Sequence, residues 1–172
     1  MGPCREGFTS ALELETELNH LRLAASTVRL ISVKEPEERP MANIAAVNPW
    51  TWQDAFGFSQ AVDVTEGNRV LFCAGQTSVD AEGNPIHVGD MRGQVVQALD
   101  NLEAVLAQAG LGLADVVRLN YYTTDVDAFL GTVDVLVERL AKTGCVPSAT
   151  LLGVQRLFHP DIMVELEATA VV

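Results

Sequence analysis

The chain has 172 residues with 11 Lys+Arg against 23 Asp+Glu, a formal net charge of -12, and this length suits one domain around one core rather than two. With 48% hydrophobic and 20% charged residues, it has the composition of a folding globular chain, not of an acidic disordered one. Its few, scattered basic residues disfavour nucleic acid and anionic membrane surfaces as partners, because both are bound through concentrated Lys and Arg.

Residues 1–40 carry five basic and seven acidic side chains and end in Lys34-Glu35-Pro36-Glu37-Glu38-Arg39-Pro40, a charged stretch that two prolines keep out of a helix or a central strand. Upstream, Leu12, Leu14, Leu18, Leu21, Leu23 and Leu30 follow a helical period only loosely. One expectation is therefore a marginal amphipathic helix over 10–30. The other is that Met41 is the natural start and residues 1–40 are an extension without a folded role. The domain proper is then 41–172, with six basic and sixteen acidic residues and hence -10 of the net charge.

Within that domain, 59–64 and 69–76 are short β-branched and apolar runs separated by Thr65-Glu66-Gly67-Asn68, which predicts a hairpin. Asp80-Ala81-Glu82-Gly83-Asn84-Pro85 is a further turn cluster. The period changes over 90–110, where Val95, Leu99, Leu102, Val105, Leu106 and Ala109 share a helical face, Asp90 can cap the start and Gly110 the end. A strand-like run over 115–123 follows. Residues 125–143 predict a second helix with Phe129, Val133, Leu136, Val137 and Leu140 inward and Gly144 as its stop. Two strands, 148–157 and 162–171, close the chain around His159-Pro160-Asp161. This order predicts an α+β sandwich, one mixed sheet with two helices on one face.

No dinucleotide, Walker, nucleophile-elbow or zincin motif occurs, so those chemistries have no local support. His20, His87 and His159 lie in the extension and in turns with no second ligand at a metal spacing. Cys4, Cys73 and Cys145 form no C-x-x-C pair, which fits a reducing compartment. Cys73 lies in an apolar run as a small hydrophobe, whereas Cys145 is expected in a more exposed loop without a basic neighbour to activate it. With no apolar run of membrane-spanning length and no secretory signal, the expected setting is soluble and cytoplasmic. Alternation along the last strand puts Met163, Glu165 and Glu167 on one face and Ile162, Val164, Leu166 and Ala168 on the other. The two carboxylates either solvate an outer face or lie at a subunit interface, where burial would make one of them an acid or base.

Several stretches together carry a resemblance: Phe58-Ser59-Gln60-Ala61-Val62, Ala74-Gly75-Gln76, Leu99-Asp100-Asn101-Leu102, Ala107-Gln108-Ala109-Gly110, and the ending Arg156-Leu157 followed by Glu165-Leu166-Glu167-Ala168-Thr169-Ala170-Val171. In this order and spacing, about two thirds of the chain resembles the Rid proteins, the YjgF-like reactive intermediate deaminases. The resemblance implies a chorismate-mutase-like fold, a homotrimer, small-molecule pockets between subunits, and hydrolysis of an imine or enamine without metal or cofactor. It places Glu165 as the water-activating glutamate, Phe58 as an aromatic over the pocket, Gly75 as a backbone donor or close-approach glycine, and Asp134 at a helix position often asparagine. The family's carboxylate-binding arginine is replaced by Ala149, with Leu151 further along the same segment. Arg118, on a face with Asn120 and Tyr122, is the better substitute. Arg156 is excluded because an extended strand would carry it roughly 23 Å away on the opposite face. The sequence therefore resembles the arginine-lacking branches, and two readings stand: a deaminase with Glu165 as general base, or a non-catalytic trimer that binds a metabolite or partner.

Overall fold

The last strand is the spine of the structure. A computed structural model describes residues 41–172; the expected helix over 10–30 and the charged stretch after it lie outside the described residues. Antiparallel strands β1 (Asn43–Val47) and β2 (Ala61–Thr65) form a ribbon, with a 3-10 turn at Trp52–Phe56 between them. Then come β3 (Val70–Phe72), β4 (Gln76–Thr77), α1 (Met91–Gln108), β5 (Val116–Thr123), α2 (Val126–Leu130), α3 (Val133–Ala141), β6 (Ser148–Gly153) and β7 (Val164–Val171). The main sheet runs β3-β7-β5-β6, with β4 also on β7. Only β5 and β6 are parallel, so the sheet is mixed and the class is α+β, as the order of elements predicts.

The predicted alternation holds in β7, where Val164, Leu166, Ala168 and Ala170 are buried while Glu165 and Glu167 are half-buried on the other face. The helices cover the apolar face. On α1, Val95, Ala98, Leu99, Leu102 and Leu106 are fully buried, and each larger one adds about 1.5–3 kcal/mol of transfer free energy before entropy is charged. Asp90 accepts a hydrogen bond from the Gly93 amide at 3.1 Å, and Gly110 takes the left-handed conformation (φ +73°) that ends the helix without a Cβ penalty. Val105, expected inward, is exposed at the helix margin.

Two side-chain amides, of buried Gln94 and half-buried Asn101, tie α1 to the strands. Gln94 donates to the Asp161 carbonyl at 2.7 Å and accepts from the Met163 amide at 2.8 Å, which fixes the entry to β7. Asn101 donates to the carbonyls of Thr77 and Val79 at 2.9 and 3.0 Å, which holds β4. Satisfying these backbone groups inside the protein avoids the cost of burying them unpaired.

The structure corrects four expectations. The turn at Thr65-Glu66-Gly67-Asn68 closes no hairpin: the Asn68 and Arg69 amides both donate to the Val172 carbonyl. Gly67 also packs so closely that a Cβ there would lie 2.6 Å from Val171 Cγ1. The chain is thereby led onto β7 as β3, and β2 pairs back with β1. The expected helix over 125–143 breaks into α2 and α3, where the Thr132 hydroxyl donates to the Phe129 carbonyl at 2.7 Å, a local bond that competes with helix continuation. Phe129, Leu136 and Leu140 still face the core. Strand β6 ends at Gly153 rather than near 157 because its partner β5 ends at Thr123, whose carbonyl takes the last ladder bond from the Val154 amide. Cys145 is buried, 3.5 Å from the Val116 carbonyl, and burial pushes its thiol up to about 12, which keeps it protonated and unreactive.

Candidate functional site

Strand register sorts the sequence-derived candidates onto two faces. Tyr122 lies opposite Glu165, and Asn120 opposite Glu167. These side chains share the face away from the helices. Ala149 is in register with Leu119, and Leu119 with Ala168, which puts Ala149 on the helix-covered face. Side chains from both sets cannot meet within one chain.

On the open face, Glu165 and Gly75 line a polar pocket of about 290 Å³ with Tyr122, Glu167, Arg156, Val154 and Leu157. Gly75 is needed there for space. A Cβ at that position would overlap the Glu165 carboxylate and lie 2.5 Å from its Cδ, so only glycine lets the backbone pass so close. Burial, and secondarily the charge of Glu167, pushes the Glu165 carboxyl above its ordinary range, because the ionised form loses hydration and meets a like charge. Glu167 goes the other way: it accepts from Asn120 Nδ2 at 3.1 Å and from the Tyr122 hydroxyl at 2.8 Å. Those bonds hold its carboxyl below the usual range, with help from the Arg118 charge. The pocket thus holds two neighbouring carboxyls apart, one shifted below and one above the ordinary range, a division found at many acid/base sites.

Arg156 lines this open-face pocket, not the cavity that holds Ala149. The extended strand expected to carry it stops at Gly153, and the chain beyond brings Arg156 into the lining with Glu165 and Glu167. Its guanidinium has no ion-pair or hydrogen-bond partner among the described residues. Arg118 lies on the open face as expected, its Nε donating to Asn120 Oδ1 at 3.2 Å, but it is not one of the residues that line the pocket.

On the helix-covered face, Phe58, Ala149 and Leu151 come together in a cavity of about 240 Å³ closed by Trp52, Phe56, Tyr121, Phe129, Leu130, Val133 and Leu136. Ser59 anchors Phe58: its amide donates to the Pro147 carbonyl and its hydroxyl to the Val146 carbonyl, both bonds short, at 2.8 and 2.7 Å. Asp134 reaches neither pocket. It forms a two-point ion pair with Arg92 between α3 and α1 (2.9 and 2.8 Å), which lowers its carboxyl pKa.

Sequence reasoning missed Trp52 and Phe56, which line the cavity from a 3-10 turn too short to show a period, and the bonds from Tyr122 and Asn120 to Glu167, which depend on strand register. Among the described residues, no group of His, Cys, Asp and Glu is arranged to hold a metal ion, and no helix is long and apolar enough to cross a membrane.

Comparison with known proteins gives a consistent result. Residues 52–172 match the family model described as endoribonuclease L-PSP. The chain is 33% identical over 113 residues to a RutC family protein of Pyrococcus horikoshii, covering 66% of this chain and 85% of the other. It is 30% identical over 115 residues to a 2-iminobutanoate/2-iminopropanoate deaminase of Dermatophagoides farinae, covering 67% and 85%. Among solved structures, YyfB of Yersinia pestis, from the conserved Rid protein family, is similar with a TM-score of 0.68 at 34% identity, over 76% of this chain and 99% of that one.

Proposed function

The chain belongs to the Rid, or YjgF-like, family, and from that premise we propose that it hydrolyses a reactive imine or enamine to a carbonyl compound and ammonia, with Glu165 activating water. One observation carries this reading: a half-buried carboxylate of raised pKa lies against a glycine that leaves no room for a side chain. Glu165 takes a proton from water as the oxygen bonds to the imine carbon. That proton passes to nitrogen to give an aminol; the aminol hydroxyl then gives up its proton, which Glu165 relays to nitrogen as the C–N bond breaks, releasing ammonia and leaving the carbonyl. Atoms and charge balance without a cofactor, and positioned acid/base help of this kind contributes about 10²–10⁴-fold. Support by likeness comes from the relative named as an iminobutanoate/iminopropanoate deaminase.

The same proposal includes a homotrimer whose sites lie between copies. Ala149 and Glu165 point from opposite faces of one sheet, so a site using both needs two chains. The open face also carries exposed Phe72, in register with Thr169, and exposed Leu152, in register with Tyr122, apolar groups of the sort that a subunit contact covers.

A second, non-catalytic reading is favoured by Ala149, which leaves the position of the family's carboxylate anchor without charge. Nuclease activity is opposed by the net charge of -12, which repels an RNA backbone. The test is an imine generated in situ by an amino acid oxidase, with ammonia release and imine decay followed together. The deaminase reading expects acceleration by the wild type and none by Glu165→Gln. No acceleration by either protein would leave the binding reading.

A further inference from the structure

We propose that the aromatic cavity on the helix-covered face is a binding site for a small, neutral aromatic group of about bicyclic size. As a statement about substrate this rests on the function proposed above; as a statement about binding it stands on the cavity alone.

The size fits. An apolar cavity of about 150 Å³ accepts benzene, and this one measures about 240 Å³, enough for a fused pair of rings and too small for a folded segment of another protein. The walls select the chemistry. Trp52 and Phe58 meet edge to face (5.7 Å between centroids, 70° between planes), and Tyr121 and Phe129 form a tilted pair at 5.4 Å. A bound ring would add to these edge and face contacts.

None of the lining residues is charged, and their only polar side-chain groups are the Trp52 indole N–H and the Tyr121 hydroxyl. A carboxylate at the depth of Ala149 would lose its hydration with no cation of the same chain beside it, a cost of several kcal/mol. Trp52 and Phe56, though part of the wall, remain largely exposed at 59% and 43%. A ligand in the cavity covers apolar surface that the chain leaves in water. Ala149 sets the depth: its methyl group is the smallest side chain in the lining, and a larger residue there takes the ligand's volume.

The experiment is calorimetric titration of the full chain with indole and with indole-3-carboxylate, repeated on Ala149→Phe, Phe58→Ala and Glu82→Gln. Indole is expected to bind saturably, and the carboxylate at least about tenfold more weakly. Ala149→Phe should weaken indole by about tenfold or more with its circular dichroism unchanged; Phe58→Ala, which removes a ring from the wall, gives the same direction should Ala149→Phe not fold. Glu82→Gln, in an exposed turn outside both pockets, should bind indole as the wild type does. Binding is read without turnover, so failure of imine hydrolysis and failure of indole binding are separate results. The inference is overturned if indole does not saturate in the millimolar range, if the carboxylate binds equally well, or if Ala149→Phe and Phe58→Ala both fold and leave indole affinity unchanged.

Discussion

On β7, Leu166 is fully buried under the helices while its neighbours Glu165 and Glu167 look out from the other side of the sheet. One strand therefore lies in two media. On the covered face, packing decides what a residue does, and the lining of the cavity is aromatic and uncharged. On the open face, hydrogen bonds decide it: Tyr122 and Asn120 keep Glu167 ionised, and its charge together with burial raises Glu165. The lesson is that on β7 packing and the proposed chemistry fall on alternate residues, so on that strand each can be perturbed alone.

The sharpest way to break that division is Glu165→Gln, for which turnover should fall by about 10²–10⁴-fold without loss of stability. Its folded-state pKa is raised, so the stability this group contributes is present below the unfolded value and is lost as pH rises through the folded one. Glutamine removes the cost of holding the charge. Thermal melts should show the variant at least as stable as the wild type near pH 7, with the difference vanishing below about pH 4.

Leu166→Ala tests the covered face one residue away. Truncating a fully buried leucine should cost about 2–5 kcal/mol, read by urea unfolding, while the folded fraction keeps its turnover per site to within a small factor. Gly75→Ala should reduce turnover by about tenfold, the scale of a displaced catalytic group, with little change in the melt because Gly75 is exposed. Smallest is Glu167→Gln. The acid limb of kcat/KM against pH should lie above the ordinary glutamate range in the wild type and move to lower pH in this variant, as the like charge beside Glu165 is removed.

Much of this division was legible in the sequence because β-alternation is strict. The Met163-Glu165-Glu167 and Arg118-Asn120-Tyr122 faces follow from a period of two, and α1 follows from its heptad-like apolar spacing and its Asp90 cap. What could not be read was pairing. Alternation says which residues share a face but not which strand lies alongside, so β2 was assigned to β3 rather than β1, and the bonds that organise Glu167 stayed hidden. The end of β6 was hidden for a related reason: it is decided by the partner strand β5, which stops at Thr123 after its carbonyl takes the last ladder bond from the Val154 amide, and not by the apolar run. The break between α2 and α3 depends on one threonine hydroxyl, too local a signal for helical periodicity to show.

The central claim is that the two faces form one site only when copies assemble. It is tested most directly by mixing Glu165→Gln with Ala149→Phe, dissociating the chains and letting them reassemble, then measuring imine hydrolysis. Each parent should be nearly inactive. In a randomly mixed trimer, one boundary in four joins an intact Glu165 to an intact Ala149 of the neighbouring copy, so about a quarter of wild-type activity should return. No recovery, with reassembly verified by native mass spectrometry, would contradict the claim and put the whole reaction on the open face of a single chain.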